Sequence, residues 1–179
     1  MITLKVIGLT VLALFVSGLL IGGSHIVLEH TNDMEFCTSC HSMQINFEEY
    51  KETIHYKNPS GVRATCADCH VPKPLGAKLW AKLVAAKDVY HELVGTIDNK
   101  EKFEARRWQM ANRVWEKMQE TDSRECRSCH NKEAMDLMEQ DKMARKKHED
   151  MASKGKTCID CHKGIAHEEP DEPEENEES

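Results

Sequence analysis

Aromatic side chains are scarce: Phe, Trp and Tyr together make up 6% of the 179 residues. That is little with which to build a core from side chains alone. Net positive charge is also missing. Asp and Glu outnumber Lys and Arg by 31 to 24, giving a net charge of −7. An acidic chain repels phosphate, so a nucleic-acid binder of the usual kind is excluded. No nucleophile stands beside a base in a pattern that would support hydrolytic chemistry. The length suits one modest domain and excludes a long multidomain enzyme.

Between Val6 and Leu28 charged side chains of either sign are absent. About 20 helical residues cross a hydrocarbon core of about 30 Å, so this run is long enough to span a membrane. It is longer than the apolar part of a cleaved signal, and no small-x-small site precedes Glu29, so it reads as a retained anchor rather than a signal peptide. Lys5 lies before the run, whereas Glu29, Asp33, Glu35, Glu48 and Glu49 follow it before Lys51. The positive-inside rule then leaves the N-terminus in the cytoplasm and the bulk of the chain outside. Gly8, Gly18, Gly22 and Gly23 would let a second helix approach, one route to a homo-oligomer through the anchor. The general tolerance of membrane helices for glycine explains them equally well.

What the chain does have is cysteine in one pattern. All eight fall in four Cys-x-x-Cys-His repeats: Cys37/Cys40/His41, Cys66/Cys69/His70, Cys126/Cys129/His130 and Cys158/Cys161/His162. This is the c-type haem attachment signal. Two thiols three residues apart on one turn form thioethers to the two vinyl groups of one haem, and the adjacent histidine points its imidazole at the iron. Zinc sites or redox disulfides use similar cysteine pairs, but neither explains a histidine directly after every pair. Four covalent haems are expected. The repeats start 29, 60 and 32 residues apart, so they form two close pairs, a duplicated two-haem unit. At about 34 residues per haem, the porphyrins serve as the core. Attachment of this kind takes place outside the cytoplasmic membrane, in agreement with the charge bias.

Four irons have eight axial positions. Beyond the motif histidines there remain His25, His30, His55, His91, His148 and His167. His25 and His30 sit at the membrane edge and read as interfacial residues. His55, His148 and His167 are the candidates for second axial ligands, and ligation by two histidines suits electron transfer. Three such ligands for four haems leave one iron different. The first is the candidate, because its motif continues Ser42-Met43 and Met43 sulfur could bind in place of His41.

The chain resembles the NapC/NirT family of membrane-anchored tetrahaem cytochromes c, which includes the NrfH type. The likeness runs along essentially the whole chain. It rests on the anchor, the motif spacing and several signatures: Cys37-Thr-Ser-Cys-His-Ser-Met43, Glu52-Thr-Ile-His55, Gly61-Val-Arg-Ala-Thr-Cys-Ala-Asp-Cys-His-Val-Pro-Lys-Pro74, Gly95-Thr-Ile-Asp98 and Thr157-Cys-Ile-Asp-Cys-His-Lys-Gly-Ile-Ala-His167. The ending and the stretch at Val71-Pro-Lys-Pro74 favour the NapC branch. The resemblance implies oxidation of membrane quinol and transfer of electrons to a periplasmic reductase or its small cytochrome subunit, as in nitrate- or nitrite-type anaerobic respiration. It implies Met43 as the unusual ligand of the first haem, with Asp88 near the other face. His70, His130 and His162 would hold the second, third and fourth haems. His148 would complete the second, His167 the third and His55 the fourth. The quinol-site lysine corresponds to Lys82.

The spacing of Leu79, Leu83, Ala86 and Tyr90 predicts a helix over 76–94, and Lys73, Lys78, Lys82 and Lys87 make it basic. On the residues alone such a helix suits an anionic membrane surface or a solvated face with snorkelling lysines equally well, and the resemblance favours the membrane surface. At a quinol site Asp88 would accept a proton and Lys82 would hold the quinol oxygen. Six residues apart on a helix means about 9 Å along the axis and about 120° around it, so the two flank one ring rather than share an atom. His91 reads as a surface or supporting residue. Two more helices are expected, over 100–120 with Trp108 and Trp115 on one face, and over 133–152 carrying His148. The segment from Glu168 has eight acids in twelve residues and reads as a disordered tail.

The expected fold is therefore mainly α. It comprises an anchor over 1–30, a first two-haem half with the quinol-site helix over 31–98, a second half over 99–167 and an acidic tail over 168–179. The expected localisation is the bacterial inner membrane, single-pass, with the haem domain on the periplasmic side. The competing readings are an electron conduit or storage cytochrome without a quinol site, and a haem-based sensor that uses the odd first haem.

Overall fold

A computed structural model describes residues 2–173, and the last six positions of the acidic tail lie outside them. Helices α1 (Ile2–His30), α2 (Met34–Cys37), α3 (His41–Lys51), α4 (Cys66–His70), α5 (Leu75–Leu93), α6 (Lys100–Glu120), α7 (Arg124–Arg127) and α8 (Lys142–Met151) are joined by turns, and no strand occurs among the described residues. Helix α1 is long and apolar enough to cross a membrane, and none of that apolar window is buried against the rest of the chain. Pro74 caps α5 and Asn99 caps α6, where the Asn99 side chain accepts from the Lys102 amide. Both helices begin where a fixed or side-chain-satisfied N-terminus allows.

The helix expected over 133–152 is instead three pieces. Short 3₁₀ turns at Lys132–Ala134 and Leu137–Glu139 precede α8. Asn131, Asp136 and Asp141 each accept a backbone amide two residues on, at Glu133, Met138 and Met143. Each therefore restarts the chain rather than continuing a helix. Arg145 then binds the carbonyls of Leu137, Met138 and Gln140, holding them out of a helical ladder.

The duplication is visible in local hydrogen bonds. In the second and fourth motifs a threonine and an aspartate form a capping box, Thr65 with Asp68 and Thr157 with Asp160. In the first and third motifs a serine donates back three residues, Ser39 to Phe36 O and Ser128 to Glu125 O, each at 2.7 Å. The two halves interlock. Helix α2 packs on α4 and α4 on α7, which joins the first three motifs in chain order, while α6 packs on the 3₁₀ turn at Cys158–Asp160. The third joins the fourth through Ser123, whose buried hydroxyl meets Thr157 Oγ1 and accepts the Ile159 amide at 3.2 Å. Ser123 takes φ 47° and Asp122 φ 52° to turn the chain into α7, a strained conformation for side-chain-bearing residues.

Only Tyr50, Ile97, Phe103, Trp115 and Ile159 are buried apolar residues among those described. A domain of this size with five such residues cannot be held by side-chain burial alone. Trp108 and Trp115 meet edge to face at 5.7 Å. Polar ties do much of the remaining joining. Arg107 on α6 forks onto Glu49 on α3 and also donates to Glu168 O at 3.0 Å, while Glu49 accepts the Glu168 amide at 2.9 Å. The two side chains are 10% and 13% exposed. Burial pushes the Glu49 carboxyl up, but Arg107 and the Glu168 amide outweigh it and hold the group below the ordinary carboxylate range.

Arg107→Ala leaves the Glu49 carboxylate enclosed without its partner. Denaturant unfolding should show a loss of roughly 2 kcal/mol, less than for a fully enclosed pair because both side chains keep some exposure. No change in the midpoint would show that the fork is incidental.

Candidate functional site

The eight motif cysteines sit at half-buried or exposed positions. Neighbouring motifs bring them close together. Cys37 and Cys66 lie side by side, and burial with that contact raises Cys66 far above the usual thiol range while Cys37 is lowered. Burial pushes Cys69 up to about 11, with Cys126 nearby, and raises Cys126, whose neighbour is Cys158.

The local backbone differs among the four motifs. Cys66 and Cys69 do share α4. In the third and fourth motifs the histidine amide donates back to the carbonyl of the first cysteine, His130 to Cys126 O at 2.8 Å and His162 to Cys158 O at 2.9 Å, so each motif closes as a single turn. In the first motif Cys37 ends α2, whereas Cys40 is extended, at φ −83° and ψ 141°, and stands as the N-cap of α3. Cys40 therefore belongs to the entry of the next helix, half-buried, and the motif is split between two elements. The physical reason is a competing acceptor: the His41 amide is drawn to the Glu92 carboxylate, which breaks the turn at Cys40.

Three pairs of histidines face one another. The ring centres are 6.2 Å apart for His70 and His167, 6.2 Å for His55 and His130, and 6.0 Å for His148 and His162. Two imidazoles that ligate one metal at about 2 Å, each ring centre about 1 Å behind its nitrogen, stand about 6 Å apart. The spacing fits an iron between each pair. The second nitrogen of two distal rings is already tied. His148 Nδ1 donates to Gln140 Oε1 at 2.6 Å and His167 Nδ1 donates to Asn46 O at 3.2 Å, which leaves Nε2 as the ligating atom in each. His55 Nδ1 is buried without a partner. The His70 imidazole, hemmed in by chain and facing His167, is held below the usual histidine range. The residue keeps open surface, so solvent tempers that shift.

The six histidines expected from the sequence are thus the ones brought together, but in other pairs. The resemblance joins His148 to the second motif, His167 to the third and His55 to the fourth. In the structure His167 meets the second, His55 the third and His148 the fourth. Local causes are plain. Tyr50 donates its hydroxyl to His55 O and Ala64 O, fixing the loop that carries His55. The Glu49–Arg107 fork grips the amide after His167. Gly155, at φ 60°, reverses the chain after α8 so that His148 returns to the motif 14 residues later.

The first motif also stands apart in its ligands. His41 is exposed and faces no other histidine among the described residues, while Met43 is half-buried in the first turn of α3. That turn is held by Glu92 at the end of α5, which sequence reasoning missed. Glu92 Oε1 accepts the amides of His41 at 3.1 Å and Ser42 at 3.5 Å, and Oε2 accepts the Ser42 hydroxyl at 2.6 Å. Ser42 is 2% exposed. A carboxylate at a helix N-terminus meets free N–H groups and the positive end of the helix dipole. Nothing in the sequence signals a cap that lies 50 residues away.

Lys82 lies farther up α5. Its Nζ donates to Thr31 O at 2.6 Å and to Thr31 Oγ1 at 2.9 Å, just past the end of α1. Burial holds it below the usual lysine range, against the pull of Cys37 and Glu29. Asp88 is exposed on the same helix and makes no ion pair or hydrogen bond among the described residues. His91 Nδ1 is buried and unpartnered, and its ring lies against Tyr90. His25 and His30 stay on α1, where His30 meets Phe36 and Asp33.

A family model described as the NapC/NirT cytochrome c family, N-terminal region, matches residues 1–172. A putative tetraheme cytochrome-c type protein of Allochromatium vinosum is 66% identical over 83% of this chain and 80% of its own length. The cytochrome c-type protein TorY of Escherichia coli O157:H7 is 54% identical over 80% of this chain, which spans 40% of TorY. The denitrification system component NirT of Stutzerimonas stutzeri is 52% identical over 84% of this chain and 75% of its own. No solved structure matches the chain.

Glu92→Ala strips the cap from the turn that carries His41 and Met43. It should lower stability by about 1 kcal/mol and alter the absorption of the first haem, whereas Glu92→Gln, which still accepts an amide, should do less on both counts. Equal effects from the two variants would mean that charge, not hydrogen bonding, holds the turn.

Proposed function

The chain belongs to the NapC/NirT cytochrome c family, and from that premise we propose that it oxidises membrane quinol and passes the electrons to a periplasmic terminal reductase or that reductase's small cytochrome subunit. It is a membrane-anchored multihaem c-type cytochrome, and its business is electron transfer. The four haems supply one-electron redox chemistry. Cys37 with Cys40, Cys66 with Cys69, Cys126 with Cys129 and Cys158 with Cys161 would hold them covalently. His70 with His167, His130 with His55 and His162 with His148 would supply the three two-histidine sets. At the first motif Met43 would stand in for a histidine.

The observation that carries the quinol reading is the position of Lys82. Its ammonium has three N–H donors. Two are committed to Thr31 at the membrane end of the anchor, and the ammonium lies near Cys37 of the first motif. The third donor is left for the oxygen of a quinol at the lipid edge of the first motif. A lysine below its usual range still donates and stabilises the anion formed as the quinol loses a proton. Each quinol gives up two electrons and two protons, so a proton acceptor is needed, and Asp88 is an uncommitted carboxylate on the same helix. Leu75, Leu79, Leu83, Tyr90 and Leu93 along α5 are exposed, which suits a helix resting on lipid beside the anchor.

The orientation follows from the charge bias around α1, with the haem domain on the periplasmic side of the inner membrane. The name of the Stutzerimonas relative, a denitrification system component, supports a nitrate- or nitrite-type terminal reductase as the acceptor.

Lys82→Ala should cut reduction by a soluble quinol analogue at least tenfold while dithionite still reduces all four haems. An unchanged rate would favour a conduit without its own quinol site. The ligand pairs predict that His55→Ala alters the magnetic resonance signal of the haem on Cys126 and Cys129 and leaves that on Cys158 and Cys161 as it was. The reverse outcome would restore the pairing carried over from the family.

A further inference from the structure

Residues 142–163 carry seven Lys or Arg against three Asp or Glu, in a chain whose net charge is −7. Two of the lysines are neutralised locally, Lys154 by Asp150 at 2.7 Å and Lys156 by Asp160 at 3.7 Å. Arg145 is spent on backbone carbonyls. Lys142, Lys146 and Lys147 are different: all three are exposed on α8 and form no ion pair among the described residues. Among them Met143 is 73% exposed, and Met138 on the preceding 3₁₀ turn is 69% exposed. The opposite side of the same helix presents His148 to His162, whose motif is itself at the surface. The fourth motif joins the third through Ser123, which meets Thr157 and Ile159, whereas the anchor and Lys82 sit beside the first.

We propose that this face of α8 is the docking surface for the electron acceptor, and that the acceptor is a soluble redox protein with an acidic face. The inference rests on the quinol-to-reductase reading and adds where electrons leave and what receives them. Uncompensated lysines attract an acidic partner over about a Debye length, ~8 Å at physiological salt, and raise the encounter rate. Exposed methionines give a small, adaptable apolar contact that suits a short-lived complex. An anionic membrane would bind the same lysines, but the contacts place this face with the fourth motif, whereas the anchor sits with the first.

The test uses the full tetrahaem chain in detergent, reduced by dithionite, and follows transfer of one electron to a blue-copper protein with an acidic face, Cu(II) becoming Cu(I) as the chain is oxidised by one electron. The triple variant Lys142→Glu, Lys146→Glu and Lys147→Glu should slow the second-order rate at least tenfold at low salt. The difference should shrink as salt rises, and transfer to a lysine-faced cytochrome c should quicken instead. A matching three-lysine reversal at Lys73, Lys87 and Lys100 should leave the copper reaction unchanged. The haem spectrum checks that each variant is assembled. Equal slowing by both sets, or no slowing by the first, overturns the proposal. So would loss of binding to anionic vesicles as the only effect of the α8 variant. Reduction by the quinol analogue, measured separately, tests the parent reading: its absence with intact α8-dependent transfer removes the quinol site and keeps the docking face.

Discussion

Two imidazoles on either side of one metal must stand about 6 Å apart, and several polar ties in this chain suit that spacing. Tyr50 fixes the loop of His55, the Glu49–Arg107 fork fixes the segment of His167, and Gln140 and Asn46 fix the rotation of two of the rings. With five buried apolar residues, the polypeptide behaves less as a core with a site in it than as a set of brackets. The brackets are polar, so their geometry is directional, and that is what holding a ring at a set angle requires.

The same logic separates the first motif from the other three. It has no facing histidine, its turn is broken at Cys40, its next helix is capped by a carboxylate from α5, and that same α5 carries Lys82 onto the end of the anchor. One helix thus joins the membrane edge, the motif lacking a two-histidine set and the lysine proposed to meet substrate. A movement of α5 would be felt at all three together.

Much of this was legible in the sequence. The four motifs, the anchor, the helices over 76–94 and 100–120, the first shifted by one residue in the structure, and the six histidines of the pairs were read from pattern alone. The pairing was not. Three proximal and three distal histidines combine in several ways, and the choice depends on contacts between residues more than a hundred positions apart, such as Glu49 with Glu168. Two signals were present but unread. Threonine before and aspartate within the second and fourth motifs mark capping boxes. Asn131, Asp136 and Asp141, five apart, mark restarts that rule out one long helix. Glu92 left no such trace, because a cap supplied across 50 residues has no local spacing. The extended backbone at Cys40 was hidden for the same reason, since four identical motifs give no hint that one of them is opened from outside.

The crossing of the halves bears on how the protein is made. His70 is matched by His167, near the end of the chain, and His130 by His55, well before it. When the first hundred residues have left the ribosome, the thiols for two prosthetic groups have been synthesised, yet the distal partner of His70 has not. On the proposed pairing, biogenesis cannot finish these centres one after another from the N-terminus; closure of the second must wait for the segment that carries His167, 97 residues after His70.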